Sequence, residues 1–186
     1  MNSNHLNDWL SKKQKQSLLM GILNVTPDSF SDGGHYFKKN SAVKHALKMV
    51  DEGADIIDIG GESTKPFSDP VSLDEELSRV LPVIEALRKE TDVCISIDTT
   101  KSEVANQALK VGASIINDVS AMEFDKDMVD IALKFDCPIV LMHMKGVPKN
   151  MQENPQYSSL ISDIISYLNT RIDFVISRGV DRKKII

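Results

Sequence analysis

Short apolar runs and helix-spaced polar segments alternate along nearly the whole chain. The run LLMGIL at residues 18–23 is apolar without alternation, the pattern of a parallel strand covered on both faces. Val43, Ala46, Leu47 and Val50 then recur at helical spacing, and Gly53 closes that helix. Residues 55–59, DIIDI, read as a second strand, followed by the loop GGESTKPFSDP. Ser72 with Glu75 makes a capping box ahead of Leu77, Val80, Leu81, Ile84 and Leu87. That spacing predicts a helix over 73–89, in which Pro82 marks a kink or an earlier break. Residues 93–97 form a third strand, and Thr100 with Glu103 suggests another capping box, opening a helix through Ala108 and Leu109. A strand at 114–116, a helix at 128–135 and a strand at 138–142 follow. A long helix then carries Leu160, Ile161, Ile164, Ile165, Leu168, Ile172, Val175 and Ile176, and the final KKII reads as the start of a sixth strand.

The segments Gly53-Ala-Asp-Ile-Ile57 and Gly112-Ala-Ser-Ile-Ile116 echo each other, with Gly179-Val-Asp before Ile185 as a looser third copy. Strand-helix units with short loops argue for parallel strands and right-handed crossovers. An open doubly wound sheet and a TIM (β/α)8 barrel both fit, and no GxGxxG follows the first strand to favour a dinucleotide site. The polar residues favour the barrel. Asn24, Asp58 with Glu62, Asp98, Asn117 with Asp118, and His143 all fall at strand carboxyl ends, the rim where barrels assemble their chemistry. Singly each has a plain structural reading: Asp98 capping Thr99-Thr100, or Asn117-Asp118 making a turn. A barrel needs eight units and typically about 250 residues. The 186 residues hold about the first five units and the start of a sixth strand, so the expectation is the front of a longer barrel, unsealed and inactive if expressed alone. Residues 1–17 are then an N-terminal extension and 18–186 the N-terminal part of the barrel.

A hydrophobic content of 41% is enough to bury a core, and a net charge of −5 without an aromatic-interleaved basic stripe argues against nucleic acid. Lys12, Lys13 and Lys15 read as a solvated tail. No signal-peptide core or membrane-length run is visible, so cytoplasmic residence is the default expectation. Cys94 and Cys137 lie in or beside apolar strands and read as buried reduced thiols, with no zinc-like spacing.

The densest chemistry follows the first strand. Asn24 opens a loop with Pro27, Asp28, Phe30, Asp32 and Gly33-Gly34, polar throughout except for one aromatic ring of the kind that covers ligands. The stretch Met20-Gly-Ile-Leu-Asn-Val-Thr-Pro-Asp-Ser-Phe-Ser-Asp-Gly-Gly34 resembles the first signature of dihydropteroate synthases, and Asp58-Ile-Gly-Gly-Glu-Ser-Thr64 with Pro66 resembles their second. The resemblance continues through Ser96-Ile-Asp-Thr99, Ile115-Ile-Asn-Asp118 and Leu141-Met-His143.

The resemblance implies a pterin-binding (β/α)8 barrel of folate biosynthesis, a transferase and sulfonamide target. Such enzymes join 6-hydroxymethyl-7,8-dihydropterin diphosphate to 4-aminobenzoate, releasing pyrophosphate, commonly as homodimers and with Mg2+. By the same resemblance Asp98, Asn117 and Met142 meet the pterin, and Phe30, Thr64 and Pro66 flank the aminobenzoate. Asn24, Thr64 and Lys65 meet the diphosphate, Asn24 also the metal, and Asp98 and Asp32 are the catalytic candidates. Lys65 stands where the family usually has Arg, keeping the charge but losing the bidentate fork. Phe67 stands where it usually has Gly, which puts loop mobility and sulfonamide affinity in question. The competing readings are a related pterin-dependent methyltransferase barrel and a non-catalytic pterin-binding remnant. His143 faces the pterin pocket or satisfies a strand end, and both remain open at this point.

Overall fold

The computed structural model describes residues 1–26, 35–63, 70–147, 151 and 154–186. Its strands are β1 (Met20–Asn24), β2 (Ile56–Gly60), β3 (Cys94–Asp98), β4 (Ile115–Asp118) and β5 (Ile139–Leu141). Its helices are α1 (Ser3–Ser11), α2 (His35–Asp51), α3 (Leu73–Glu90), α4 (Ser102–Lys110), α5 (Met128–Phe135) and α6 (Leu160–Ser177). All neighbouring strands are parallel, in the order β1-β2-β3-β4-β5. That order decides between the two architectures. A doubly wound sheet reverses its strand order so that helices cover both faces. Here the order never reverses, and α2 packs on α3, α3 on α4, and α4 on α5, along one face. The other face is left as the inside of a barrel wall. Past a 3-10 turn at Arg182–Lys184, Ile185 bridges Ile139 in parallel, and the Ile186 N–H donates to the Ile139 carbonyl (2.9 Å), so the expected sixth strand does begin beside β5.

Strand alternation divides the apolar residues into two cores. Ile57, Ile59, Ile95, Ile97, Ile116 and Ile139 face the helices and meet Val80, Val83, Ile84 and Leu87 of α3 and Val104 and Ala108 of α4. Ile56, Cys94 and Ile115 face inward at the amino end and meet Leu6 and Leu10 of α1. The N-terminal segment is therefore more than a solvated tail: α1 lies against the barrel floor. Asn2 caps it through the His5 N–H (3.1 Å), and the Met1 carbonyl accepts from the Cys94 N–H (2.7 Å). Nine residues are too few for a helix to persist alone. Burying Leu6 and Leu10 contributes about 1.5–3 kcal/mol each and holds it in place. Lys12, Lys13 and Lys15 are exposed, as expected. Both cysteines are buried free thiols, and burial pushes the Cys137 thiol up to about 12.

The sequence echo is a repeated helix ending. Gly53, Gly112 and Gly179 each have positive φ, and the next N–H donates to the carbonyl five residues back: Ala54 to Met49, Ala113 to Ala108, Val180 to Val175. A fourth copy follows α5 with Asp136 (φ 49°) in the glycine's place, and the Cys137 N–H donates to Ala132. One expectation fails. Thr100 and Glu103 do not form a capping box on α4; Lys101 is the N-cap residue without a side-chain cap bond. The Ser102 N–H instead donates to Asp125 Oδ2 (2.7 Å), while Glu103 accepts from Asn106 and Gln107. A distant carboxylate has displaced the local motif. At α3 the Glu75 N–H does donate to Ser72 Oγ (3.3 Å), and Pro82 lies inside the helix without ending it.

Candidate functional site

Asn24, Gly60, Asp98, Asn117 and Val140 are consecutive register partners across the five strands, one row at the carboxyl rim. Register partners in a parallel sheet share a face, so Asn24, Asp98 and Asn117 look into the same interior. Gly60 keeps that row open. A Cβ there would stand 3.4 Å from Asp98 Oδ2 and 3.7 Å from Asn24 Oδ1, on the ground between them. Its neighbour Gly61 is glycine for a different reason: a Cβ would lie 2.8 Å from Val80 Cγ1, because α3 packs directly on the backbone. Backbone bonds from Val25 N–H to the Gly60 carbonyl (2.8 Å) and from Thr99 N–H to the Asn117 carbonyl (3.0 Å) brace the rim.

The row is strongly acidic. Asp98 Oδ1 is buried and has no hydrogen-bond partner among the described residues, and neither has Asp58 Oδ1 one level below. Burial, followed by the charges of Asp58, Glu76, Asp118 and Glu62, pushes the Asp98 carboxyl up to about 8. Burial also raises Asp58, against the pull of its hydrogen-bonded neighbours. Asn117 Nδ2 donates to Asp58 Oδ2 at 3.0 Å. Two buried carboxylate oxygens, one on Asp98 and one on Asp58, are thus left as acceptors without a donor, and the site suits a ligand edge carrying N–H groups or positive charge.

A second cluster lies behind the row. Lys101 Nζ donates to Glu62 and, at 2.6 Å, to Glu76 Oε2 on the fully buried side of α3. Burial works against the ammonium, yet the two carboxylates hold its pKa above the ordinary value. The triad fixes Glu62, two residues before Thr64, to the start of α4. Asp118, the residue after Asn117, faces the helix layer and is buried completely. It accepts from Ser120 N–H and Oγ (both 2.7 Å) and from Met122 N–H (3.1 Å), holding Ala121 and Met122 in left-handed conformation.

Met142 stands just past β5, half-buried. His143 is half-buried, with its ring edge-on to Tyr167 (centroids 5.0 Å apart) and 5.9 Å from Tyr157, so it is held as an aromatic packing element. Phe30, Asp32, Thr64, Lys65, Pro66 and Phe67 lie outside the described residues. The sequence reading missed Lys101 and Glu76. The signal for Glu76 was present: it lies at helical spacing with Val80, Val83 and Leu87, a carboxylate inside an apolar stripe. No group of three or more His, Cys, Asp or Glu suited to a metal occurs among the described residues. Asn24, exposed at the end of β1, offers one amide oxygen. That fits an ion such as Mg2+, which prefers oxygen, retains waters and binds largely through substrate phosphates.

Comparison with known proteins agrees with this geometry. A family model described as pterin binding enzyme matches residues 20–186. The chain is 51% identical to the dihydropteroate synthase of Bacillus subtilis over 177 residues, covering 95% of this chain and 59% of that protein. Among solved structures, the Yersinia pestis dihydropteroate synthase in a sulfonamide complex aligns with TM-score 0.84 at 44% identity, over 91% of this chain and 62% of that one. The Xanthomonas albilineans dihydropteroate synthase with 4-aminobenzoic acid aligns with TM-score 0.84 at 42% identity, over 91% and 60%. The chain spans about 60% of the length of the curated relatives it matches. With that agreement of sequence and backbone, the five strands are βα units of a (β/α)8 barrel, and the chain belongs to the family of pterin-binding enzymes.

Proposed function

We propose that the protein is a dihydropteroate synthase, condensing 6-hydroxymethyl-7,8-dihydropterin diphosphate with 4-aminobenzoate to give 7,8-dihydropteroate and pyrophosphate. One observation carries the reading: a buried carboxyl without a partner, Asp98, in one row with Asn24 and Asn117 around the gap left at Gly60. In this reaction the CH2–O bond breaks, its electron pair leaves with the diphosphate, and positive charge develops on the pterin. The amine nitrogen of the aminobenzoate then bonds to the methylene and loses a proton. Asp98 on a rigid strand end, backed by the charges of Asp58, Asp118, Glu62 and Glu76, favours that cation as it forms. Asn117 pairs with the hydrogen-bonding edge of the ring, and Met142 contributes apolar contact.

Asn24 is the residue that would hold Mg2+, which supplies charge neutralisation at the departing diphosphate. Thr64 and Lys65 would meet the same diphosphate. Phe30 and Pro66 with Thr64 would flank the aminobenzoate, and Asp32 would orient the attacking amine. Closure of the loops after β1 and β2 would exclude water that could intercept the cation. A cytoplasmic homodimer is part of the same reading. Among the described residues no helix is long and apolar enough to cross a membrane. The test is pyrophosphate release by the full-length protein. Release requiring both the pterin diphosphate and 4-aminobenzoate is expected; release indifferent to 4-aminobenzoate would overturn the assignment.

A further inference from the structure

Asn117 is useful to a ligand only if its carboxamide is held one way round, because its two branches have opposite hydrogen-bonding character. Rotation by half a turn about the last side-chain bond exchanges a donor for an acceptor at nearly the same point in space. Its backbone is fixed: β4 is paired on both sides, and the Asn117 carbonyl is taken by the Thr99 N–H. The strand does not choose between the two orientations of the side chain. The choice is made by Asp58.

From β2, two strands away with β3 between, and one level below the row, Asp58 Oδ2 receives the Asn117 Nδ2 N–H at 3.0 Å. Asp58 is 4% exposed, buried beneath the row. A carboxylate is acceptor only, so it holds the amide nitrogen downward and leaves the carbonyl branch for the mouth. Asn117 Oδ1 accepts no hydrogen bond among the described residues. Leaving Asp58 Oδ1 buried and unpartnered costs free energy that a neutral aliphatic side chain would avoid. The fold retains the carboxylate nonetheless.

The geometry points to Asp58 as a positioning residue that locks the Asn117 carboxamide with its carbonyl toward the site, so that Asp98 and Asn117 together present adjacent acceptors to one N–H-bearing edge of a pterin ring. This deepens the reading given under Proposed function and rests on it. Asp58 acts through Asn117 and touches neither substrate nor reacting atoms. The ligand class follows from the chemistry: a flat heterocycle with neighbouring N–H donors, such as the 2-amino pyrimidinone half of a pterin, is accepted. A ring offering only acceptors on that edge is refused.

Calorimetry and side-chain amide NMR on the full-length protein test the assignment. Calorimetry with 6-hydroxymethyl-7,8-dihydropterin gives the parent affinity, and absence of binding by the parent refutes the pterin reading itself. With the parent binding, Asp58→Leu is expected to weaken the pterin about tenfold, the order of one lost hydrogen bond. Asp58→Asn, which keeps an acceptor in reach of Asn117, is expected to stay within about threefold of the parent. In an Asn117→Ala background Asp58→Leu is expected to add nothing further, whereas a merely structural Asp58 gives the same loss in both backgrounds and refutes the inference. For the case in which Asp58→Leu does not fold, side-chain amide NMR of the parent decides. A protected Asn117 NH2 pair with slow exchange is expected, and exchange at the rate of a free amide overturns the proposal.

Discussion

Asp98 and Asp118 end neighbouring strands, and burial pushes both carboxyls above the ordinary range, yet they are held in opposite ways. Asp118 faces the helices and spends both oxygens on its own loop, accepting from Ser120 N–H, Ser120 Oγ and Met122 N–H. Arg171 reinforces the same loop from α6, donating to the carbonyls of Ala121 (2.8 Å) and Met122 (3.0 Å). Asp98 faces the interior, and its Oδ1 is buried with no partner. The step from Asn117 to Asp118 crosses from one face of the wall to the other, from the row of the proposed pterin site to the loop that Asp118 braces. Asp118 is fully hydrogen-bonded and braces its loop, whereas Asp98 keeps an unsatisfied oxygen in the interior-facing row at the rim.

The sharpest way to break this contrast is to neutralise each carboxylate in turn. Asp98→Asn is expected to lower the kcat for pyrophosphate release by about a hundred- to a thousandfold, the range for removing one group aimed at transition-state charge. Its effect on stability should have the opposite sign. A carboxyl whose folded pKa is about 8, above the unfolded 3.8, contributes stability that is complete below about pH 4 and lost as pH rises to 8. Denaturant unfolding should therefore show Asp98→Asn level with the parent near pH 4 and more stable by about 1–3 kcal/mol at pH 8. A parent whose stability rises from pH 4 to pH 8 through this residue would contradict that sign.

Lys101→Met comes next in size. It strands Glu76, fully buried with one oxygen already unpartnered, and should cost about 3 kcal/mol in urea unfolding. It also removes the cation that offsets Glu62 and Glu76, so the Asp98 carboxyl should titrate at still higher pH. Asp118→Asn should cost about 2 kcal/mol, because the Met122 N–H loses its acceptor. In the surviving folded protein, pterin affinity should change little, and a large loss of binding without loss of stability would erase the distinction between the two aspartates. Smallest is Gly60→Ala. The added methyl would stand at ordinary contact distance from Asp98 and Asn24, so the fold should be unaffected. Pterin affinity should fall about fivefold, the low end for one misplaced methyl in a pocket, as read by calorimetry.

Much of this was legible in the sequence because its causes are local. Parallel strands announce themselves as unbroken apolar runs, three of the four left-handed helix endings as glycines, and the rim as polar residues where those runs stop. The elements that escaped are set by distance along the chain. Helix α5 did not escape: it ends where the sequence places it, at Phe135, although Asp136 and not a glycine takes its left-handed cap. The amphipathic pattern of α1 is only nine residues long, and the surface it covers comes from three strands far downstream. Ser102 takes its acceptor from Asp125, which the apparent Thr100 and Glu103 motif could not foretell. Asp58 was visible as a strand-end carboxylate, but its bond to Asn117 joins residues 59 apart, and the Lys101 triad joins three separate segments.

The most direct test is a carbon-detected NMR titration of the Asp98 side-chain carboxyl, first alone and then saturated with 6-hydroxymethyl-7,8-dihydropterin. The expected midpoint is about 8 in the free protein, falling once ring N–H donors occupy the unpartnered oxygen. A free-protein midpoint near 4, unmoved by the pterin, would mean that Asp98 is already satisfied, and the central contrast between the two aspartates would be lost.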